Sequence, residues 1–460
     1  MGTPKNPLPI FFLSIIAAVE SVWILLSDGF YPVDECAHFL YSRFVLSSLH
    51  VTVETWHRPG LLWLCALPAQ LGHTCTMFSL LALFLALLYV TYRIAVSMNI
   101  RHAAWVILLT GFQPVLFDIS YACLAEAPAA LLLALSFLCL LKARYGWSLA
   151  TASAVFLFRF EMYAFALVVF ALAARKREWR ILPLLVLGPL LWIAYSAVIS
   201  GDAVTFFREW SAYTRLGKYV PGIPVMYYVQ HLPAIYGIAQ VLLFAAGVVS
   251  VVRARPAGMY WMLFGAIAFD IIINTLAGAE VFHWTGSIGE SRYIAVVGPF
   301  VGIVAARGFS VVLGRVRGVW GETVFSLLIM AVTTVQCSVS SPPRRWANYD
   351  MIVIAMTRTL EEGHPDRTLL CNNYVPAYVM DVPPSGGPRF ARLNRETLAR
   401  HPRSMVLWDP FSSNPLFFPT GVTRESLLRD SANVVVGRDS YGGAEYVAFL
   451  RDAPRVNVGR

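Results

Sequence analysis

The chain has 460 residues, 57% of them hydrophobic and 14% charged, with a mean hydropathy of +0.61. That balance excludes an ordinary water-soluble domain and points to a polytopic membrane protein. The formal charge of +9 does not indicate a nucleic-acid binder. Its basic residues sit in short loops between apolar runs, which is a topology signal and not a binding patch.

In chain order, apolar runs occupy 8–27, 74–96, 102–118, 124–141, 146–158, 161–174, 180–199, 234–252, 259–276, 293–309 and 319–339. This gives about eleven crossings at the 17 to 25 residues that a bilayer requires. Runs 146–158 and 161–174 are short for full crossings and read as partial, tilted or re-entrant helices packed in protein. Pro59 to Leu71 is assigned to the outer interface. The first run lacks a small-residue cleavage site and reads as a retained helix.

Placing the N-terminus inside collects Lys5, Arg93, Arg101, Lys142, Arg144, Arg175, Lys176 and Arg177 in cytoplasmic loops. The positive-inside bias therefore sets the orientation. It puts Asp28, Asp34, Glu35, Glu54, Asp118, Glu126, Glu161 and Glu290 on the outer side, and the region after the last run outside as well. The chain divides into a membrane domain, 1–339, and a small extracytoplasmic α/β domain, 340–460. In the latter, Thr368–Asn372 and Ser404–Trp408 read as strands, Arg395–Arg400 as helix and Val382–Pro388 as loop. The seven cysteines show no CxxC pair and read as packing residues.

Charge beside membrane helices is expensive, so it marks function by default. Asp34 and Glu35 open a helical pattern after the first run. Successive helical residues point about 100° apart, so one acid can face a cavity while the other braces the helix start. A simple capping pair is the competing reading. His57 and Arg58 precede the interfacial run, and Glu126 stands where the fourth run begins. Arg159 and Glu161 flank a junction of two short runs, where a structural ion pair is the plainer alternative. Arg292 and Tyr293 lead into the tenth run; Arg292 suits a lipid phosphate, against simple snorkelling to the interface. Lys218, in the loop 201–233, is a weaker addition.

These motifs stand in a telling order: Val33-Asp34-Glu35, His57-Arg58-Pro59-Gly60, Glu126-Ala127-Pro128, Arg159-Phe160-Glu161 and Arg292-Tyr293. In that order the chain resembles the GT-C superfamily of polyprenyl-phosphate-sugar-dependent glycosyltransferases, especially the protein-O-mannosyltransferase and aminoarabinose-transferase branch. The resemblance covers roughly Leu8 to Phe309. Gly60 stands where relatives often carry a second Pro, and Tyr31-Pro32 interrupts the usual loop entry.

The resemblance implies a GT-C-like all-α membrane fold and sugar transfer, with inversion, from a polyprenyl-phosphate donor to a glycan, glycolipid or protein hydroxyl. It implies Asp34 as the base, with Glu35 or Glu126 orienting the acceptor. A divalent cation, Mg²⁺ or Mn²⁺, is a candidate cofactor on Asp34 and Glu126. It also implies a bacterial inner-membrane location with the site facing outward. Two competing classes are a transporter or flippase using the intramembrane acids Glu20 and Asp270, and an inactive scaffold presenting the C-terminal domain.

Overall fold

The computed structural model describes residues 7–31, 34–47, 49–53, 56–202, 204–208, 223–254, 258–278, 290–413 and 421–452. They form two compact units: one of 1–27 and 53–343, the other of 28–52 and 344–460. The division is discontinuous, unlike the single boundary at 340 expected from the sequence. The first outer loop groups with the C-terminal region and not with the helices on either side of it.

The first unit is helical. Among the described residues, six helices are long and apolar enough to span a membrane: Leu8–Leu26, His73–Ser97, Trp179–Ser200, Met259–Ala277, Ser291–Leu313 and Gly318–Ser340. A bent pair, Tyr227–Tyr236 and Ile238–Ala254, makes a seventh if counted as one span. The remaining apolar runs are shorter or broken helices. The run at 102–118 splits into Trp105–Gly111 and Pro114–Ile119, because Pro114 supplies no N–H and forces Gln113 into an extended conformation (φ −72°, ψ 121°).

The bend in the Tyr227–Ala254 pair measures 111° and centres on Pro233 and Gly237, whose φ of +95° only glycine tolerates easily. Such a break frees backbone groups that hydrocarbon cannot solvate. Gln336 satisfies both sides: its Nε2 donates to the Pro233 carbonyl at 3.0 Å and its Oε1 accepts from the Ile238 N–H at 2.9 Å.

Ile238–Ala254 then crosses Gly298–Leu313 through glycines. A Cβ at Gly308 would lie 1.8 Å from the Leu243 carbonyl oxygen, and one at Gly247 would lie 2.1 Å from that of Val304. Small residues let these backbones touch, the usual basis of helix association in lipid. Gly60 has a related role, since a Cβ there would meet the Phe158 ring at 2.7 Å.

The second unit carries a five-stranded sheet of order β2-β1-β3-β5-β4, with β1 Thr368–Leu370, β2 Phe390–Ala391, β3 Arg403–Trp408, β4 Asn433–Tyr441 and β5 Ala444–Asp452. The first three strands pair in parallel, and β5 runs antiparallel to both β3 and β4. Leu370, Leu393, Val406, Leu427, Val447 and Phe449 are buried together as its core. The helix Arg395–Arg400 begins with a capping box on Asn394 and Thr397.

The first loop joins this unit through Gly29, where a Cβ would lie 2.4 Å from the Arg345 backbone carbon. The Asp28 N–H donates to the Arg344 carbonyl at 3.0 Å, and Arg345 bonds Asp28 at 2.9 Å.

Candidate functional site

In the helical unit, breaks in secondary structure place the charges. Arg159 occupies an extended residue (φ −142°, ψ 89°) between the 3-10 turns Val155–Leu157 and Phe160–Tyr163. Glu126 is the first residue of the helix Glu126–Leu141, where the backbone dipole favours a carboxylate. Arg292 lies in the 3-10 segment Ser291–Val297 that runs into Gly298–Leu313. Arg58 stands before Pro59 with φ +55°, a conformation that a non-glycine residue adopts at a cost of order 1 kcal/mol or more and that concentrates at functional sites.

These residues converge. Arg159 Nη1 donates to Glu126 Oε1 at 3.1 Å, and its Nε lies 2.6 Å from Glu161 Oε1. Arg292 Nε lies 3.7 Å from the same Glu126 oxygen and is also paired with Glu290. Both guanidiniums sit over the Tyr293 ring, at 4.6 Å for Arg159 and 5.4 Å for Arg292. The Arg58 guanidinium lies 4.4 Å above Phe160 and acts electrostatically on Glu161. Arg58, Glu126, Arg159 and Arg292 are all buried.

Three guanidiniums therefore face three carboxylates, Glu126, Glu161 and Glu290. Burial alone works against charge on Arg159, but Glu161 and Glu126 outweigh it and hold the guanidinium protonated more firmly than usual. Arg58 Nη1 is buried with no hydrogen-bond partner among the described residues, and unlike Arg159 Nε and Arg292 Nε it has no ion-pair partner there either.

Asp270, inside the span Met259–Gly278, is buried and feels both Arg159 and Glu161. Its Oδ1 accepts from Asn274 at 2.8 Å, while Oδ2 has no partner among the described residues. The other intramembrane acid, Glu20, accepts from the Ser120 hydroxyl at 2.8 Å.

Of the candidates named from the sequence, Arg58, Glu126, Arg159, Glu161, Arg292 and Tyr293 thus meet in one place. His57 is buried against Trp56, edge to face at 4.7 Å. Lys218 lies outside the described residues. Phe160, Glu290 and Asp270 belong with the cluster and were absent from the expected site. Glu290 carried a signal, standing two residues before Arg292, whereas Asp270 carried only its unusual position in an apolar run.

Asp34 and Glu35 lie in the second unit, at the start of the helix Asp34–Arg43. Their roles differ, as adjacent helical positions require. Glu35 is fully buried; Arg344 Nη1 donates to its Oε2 at 2.9 Å and the Tyr31 N–H bonds the same oxygen. It braces the loop, while Asp34 stands half-buried at the helix start. Arg43 bonds both oxygens of Asp381, each at 2.8 Å, within the same unit.

No group of three or more His, Cys, Asp or Glu that could hold a metal ion occurs among the described residues. The surroundings of Glu126 do not suit a divalent cation, because two guanidiniums already occupy its carboxylate and would repel one.

No known protein-family model matches the chain, and no curated protein matches its sequence. Solved structures do. The crystal structure of ArnT from Cupriavidus metallidurans bound to undecaprenyl phosphate superposes with a TM-score of 0.65 at 14% identity, covering 99% of both chains. The apo structure of the same protein gives 0.61 at 14% identity, over 96% of this chain and 97% of that one. At such identity the likeness is one of fold. It extends over the whole length, helical unit and α/β unit alike, and agrees with the GT-C-like membrane architecture expected from the motif order.

Proposed function

We propose that this integral membrane protein transfers a glycosyl group from a polyprenyl-phosphate donor to an acceptor hydroxyl on the extracytoplasmic side of a bacterial inner membrane. The observation that carries the reading is the buried cluster of Arg58, Arg159 and Arg292 with Glu126, Glu161 and Glu290. The full-length likeness to a fold solved with undecaprenyl phosphate bound supports it.

The chemistry follows from the charges. A donor tethered by an isoprenoid tail presents its anomeric carbon near the headgroup plane, and cleavage there leaves negative charge on the phosphate. Preorganised guanidiniums in a site closed to water stabilise that charge as it develops. Arg58, with its unpartnered buried N–H, is the first contact for the phosphate, and Arg292 shares it. Glu126 and Glu161 keep Arg159 and Arg292 in place while the site is empty.

The acceptor hydroxyl needs a base as the bond to the anomeric carbon forms. Asp34 takes that part on the strength of the motif resemblance, and a single displacement inverts the anomeric centre. Glu35, held by Arg344, positions the helix that carries Asp34. A transporter reading would rest on Asp270, yet that carboxylate is tied to Asn274 and to the field of the same cluster.

Transfer assays on purified protein with undecaprenyl-phosphate-linked sugars test the proposal. Arg58→Ala is expected to raise the donor KM and lower turnover by at least tenfold, with Arg58→Lys recovering part of both. Wild-type transfer by Arg58→Ala would remove the phosphate role.

A further inference from the structure

A cavity inside the α/β unit shares no residue with the Arg–Glu cluster and calls for an occupant of its own. Phe30 and Tyr31 of the first loop, Trp346 and Asp350 near the start of the helix Asn348–Gly363, and Tyr374 and Phe411 after the strands line it. Phe30 and Trp346 stand edge to face at 5.4 Å and 71°, so the walls present ring planes in more than one direction.

Behind the lining, and bonded to three of its residues, is Asp409, 1% exposed. It accepts hydrogen bonds from Asn373 Nδ2 at 2.6 Å, Ser412 Oγ at 2.9 Å and the Phe411 N–H at 2.8 Å. Neither Asp350 nor Asp409 has an ion-pair partner among the described residues. Hydrogen bonds satisfy Asp409, whereas Asp350 faces the cavity, and aromatic walls beside a carboxylate are the surroundings that bind ammonium groups. The interior measures about 20 Å³. That is room for one or two water-sized groups at roughly 10 to 15 Å³ each, which suits an ammonium head and not a pyranose ring. One lining ring already takes such a contact, with the Arg392 guanidinium 3.9 Å from the Tyr374 ring centre.

We propose that this cavity is a binding site for an organic ammonium group, held by the aromatic walls of Phe30, Trp346 and Phe411 and by the carboxylate of Asp350, with Asp409 behind the lining adding negative charge. The groups facing Asp350 are Asp409 from the end of β3, Tyr349 from its own helix, Tyr446 from β5 and Cys36 from the first-loop helix. Glu35 and Arg344 are paired beside Cys36. Burial, and after it the charge of Asp409, raise the Asp350 carboxyl to about 7 against one backbone N–H bond from Ala347. A bound cation favours ionised Asp350, so affinity increases as pH rises through 7 and falls below it.

The site is independent of the transfer reading, since binding is read without turnover. Saturation-transfer NMR of methylammonium with the full chain in deuterated detergent tests it. Saturable transfer is expected, with at least fivefold tighter apparent binding at pH 8 than at pH 6. Phe411→Leu should weaken it at least threefold, Phe411→Tyr should keep it, and Asp350→Asn should weaken it at least tenfold. Absence of saturable transfer overturns the proposal. So does displacement by equimolar Na⁺ or Mg²⁺, which would mark unspecific charge binding or a metal site, or saturation by a neutral methyl glycoside in place of methylammonium. Should Asp350→Asn misfold, the pH comparison and the Phe411 pair decide alone.

Discussion

Arg159 is the hub of the helical unit's charge cluster, since Glu126, Glu161 and the Tyr293 ring all bear on one guanidinium. Removing one partner of a buried pair strands the other, at a cost of about 3 to 5 kcal/mol. Arg159→Ala is therefore expected to lower thermal stability in detergent far more than Glu161→Gln, whose carboxylate is partly exposed, as a comparison of unfolding midpoints will show. A second residue-scale expectation concerns Asp350. Its folded pKa of about 7 stands above the ordinary carboxylate value, so the native state holds a proton that the unfolded chain has already lost between about pH 4 and pH 7. Stability consequently falls as pH rises through that window. Asp350→Asn should raise the free energy of unfolding at pH 8 by on the order of 1 kcal/mol after solvent screening, and leave it unchanged near pH 3.5. At this scale much was legible from the chain. Charges beside apolar runs advertise themselves, which is how Glu126, Arg159, Glu161 and Arg292 were found. Which acid of Asp34 and Glu35 would be the brace was not legible, because it depends on Arg344, some three hundred residues away.

Among the elements, the crossing of Ile238–Ala254 and Gly298–Leu313 depends on absent side chains. Gly308→Val would drive a Cβ into the Leu243 carbonyl, and overpacking in a closed contact typically costs about 1 to 3 kcal/mol. Loss of monodisperse protein on size-exclusion chromatography, or a clear drop in melting temperature, is the expected result, with Gly265→Ala, which meets open space, as control. Gln336→Leu should also destabilise the chain, by leaving the Ile238 N–H unsatisfied at the bend and removing one of the two hydrogen bonds to the Pro233 carbonyl. Periodicity located β1, β3 and the helix Arg395–Arg400, but passed over the β4–β5 hairpin and the helix Asn348–Gly363. The hairpin did carry a signal: Gly442 and Gly443, both at positive φ, separate two runs with strand character. The broken helices were less legible, since hydropathy counts apolar residues and is blind to where a proline or an extended residue interrupts them.

For the molecule as a whole, the grouping of 28–52 with 344–460 means that the Asp34 segment is carried by the α/β unit. Gly29, pressed on the Arg345 backbone, is the joint, and Gly29→Leu is expected to abolish transfer while leaving the helical unit's insertion intact, as protease protection in vesicles would show. No reading of local pattern could have found this, because it is a contact between segments at opposite ends of the sequence. The membrane architecture, by contrast, was written in composition and motif order. The account turns on Asp34 acting as base toward a lipid-held donor. The most direct measurement is single-turnover transfer from an undecaprenyl-phosphate sugar by purified Asp34→Asn protein in nanodiscs, alongside undecaprenyl phosphate binding. Loss of a positioned base lowers the rate by about 10² to 10⁴, and that fall with unchanged lipid binding is the predicted result. Transfer at the wild-type rate by Asp34→Asn would contradict it.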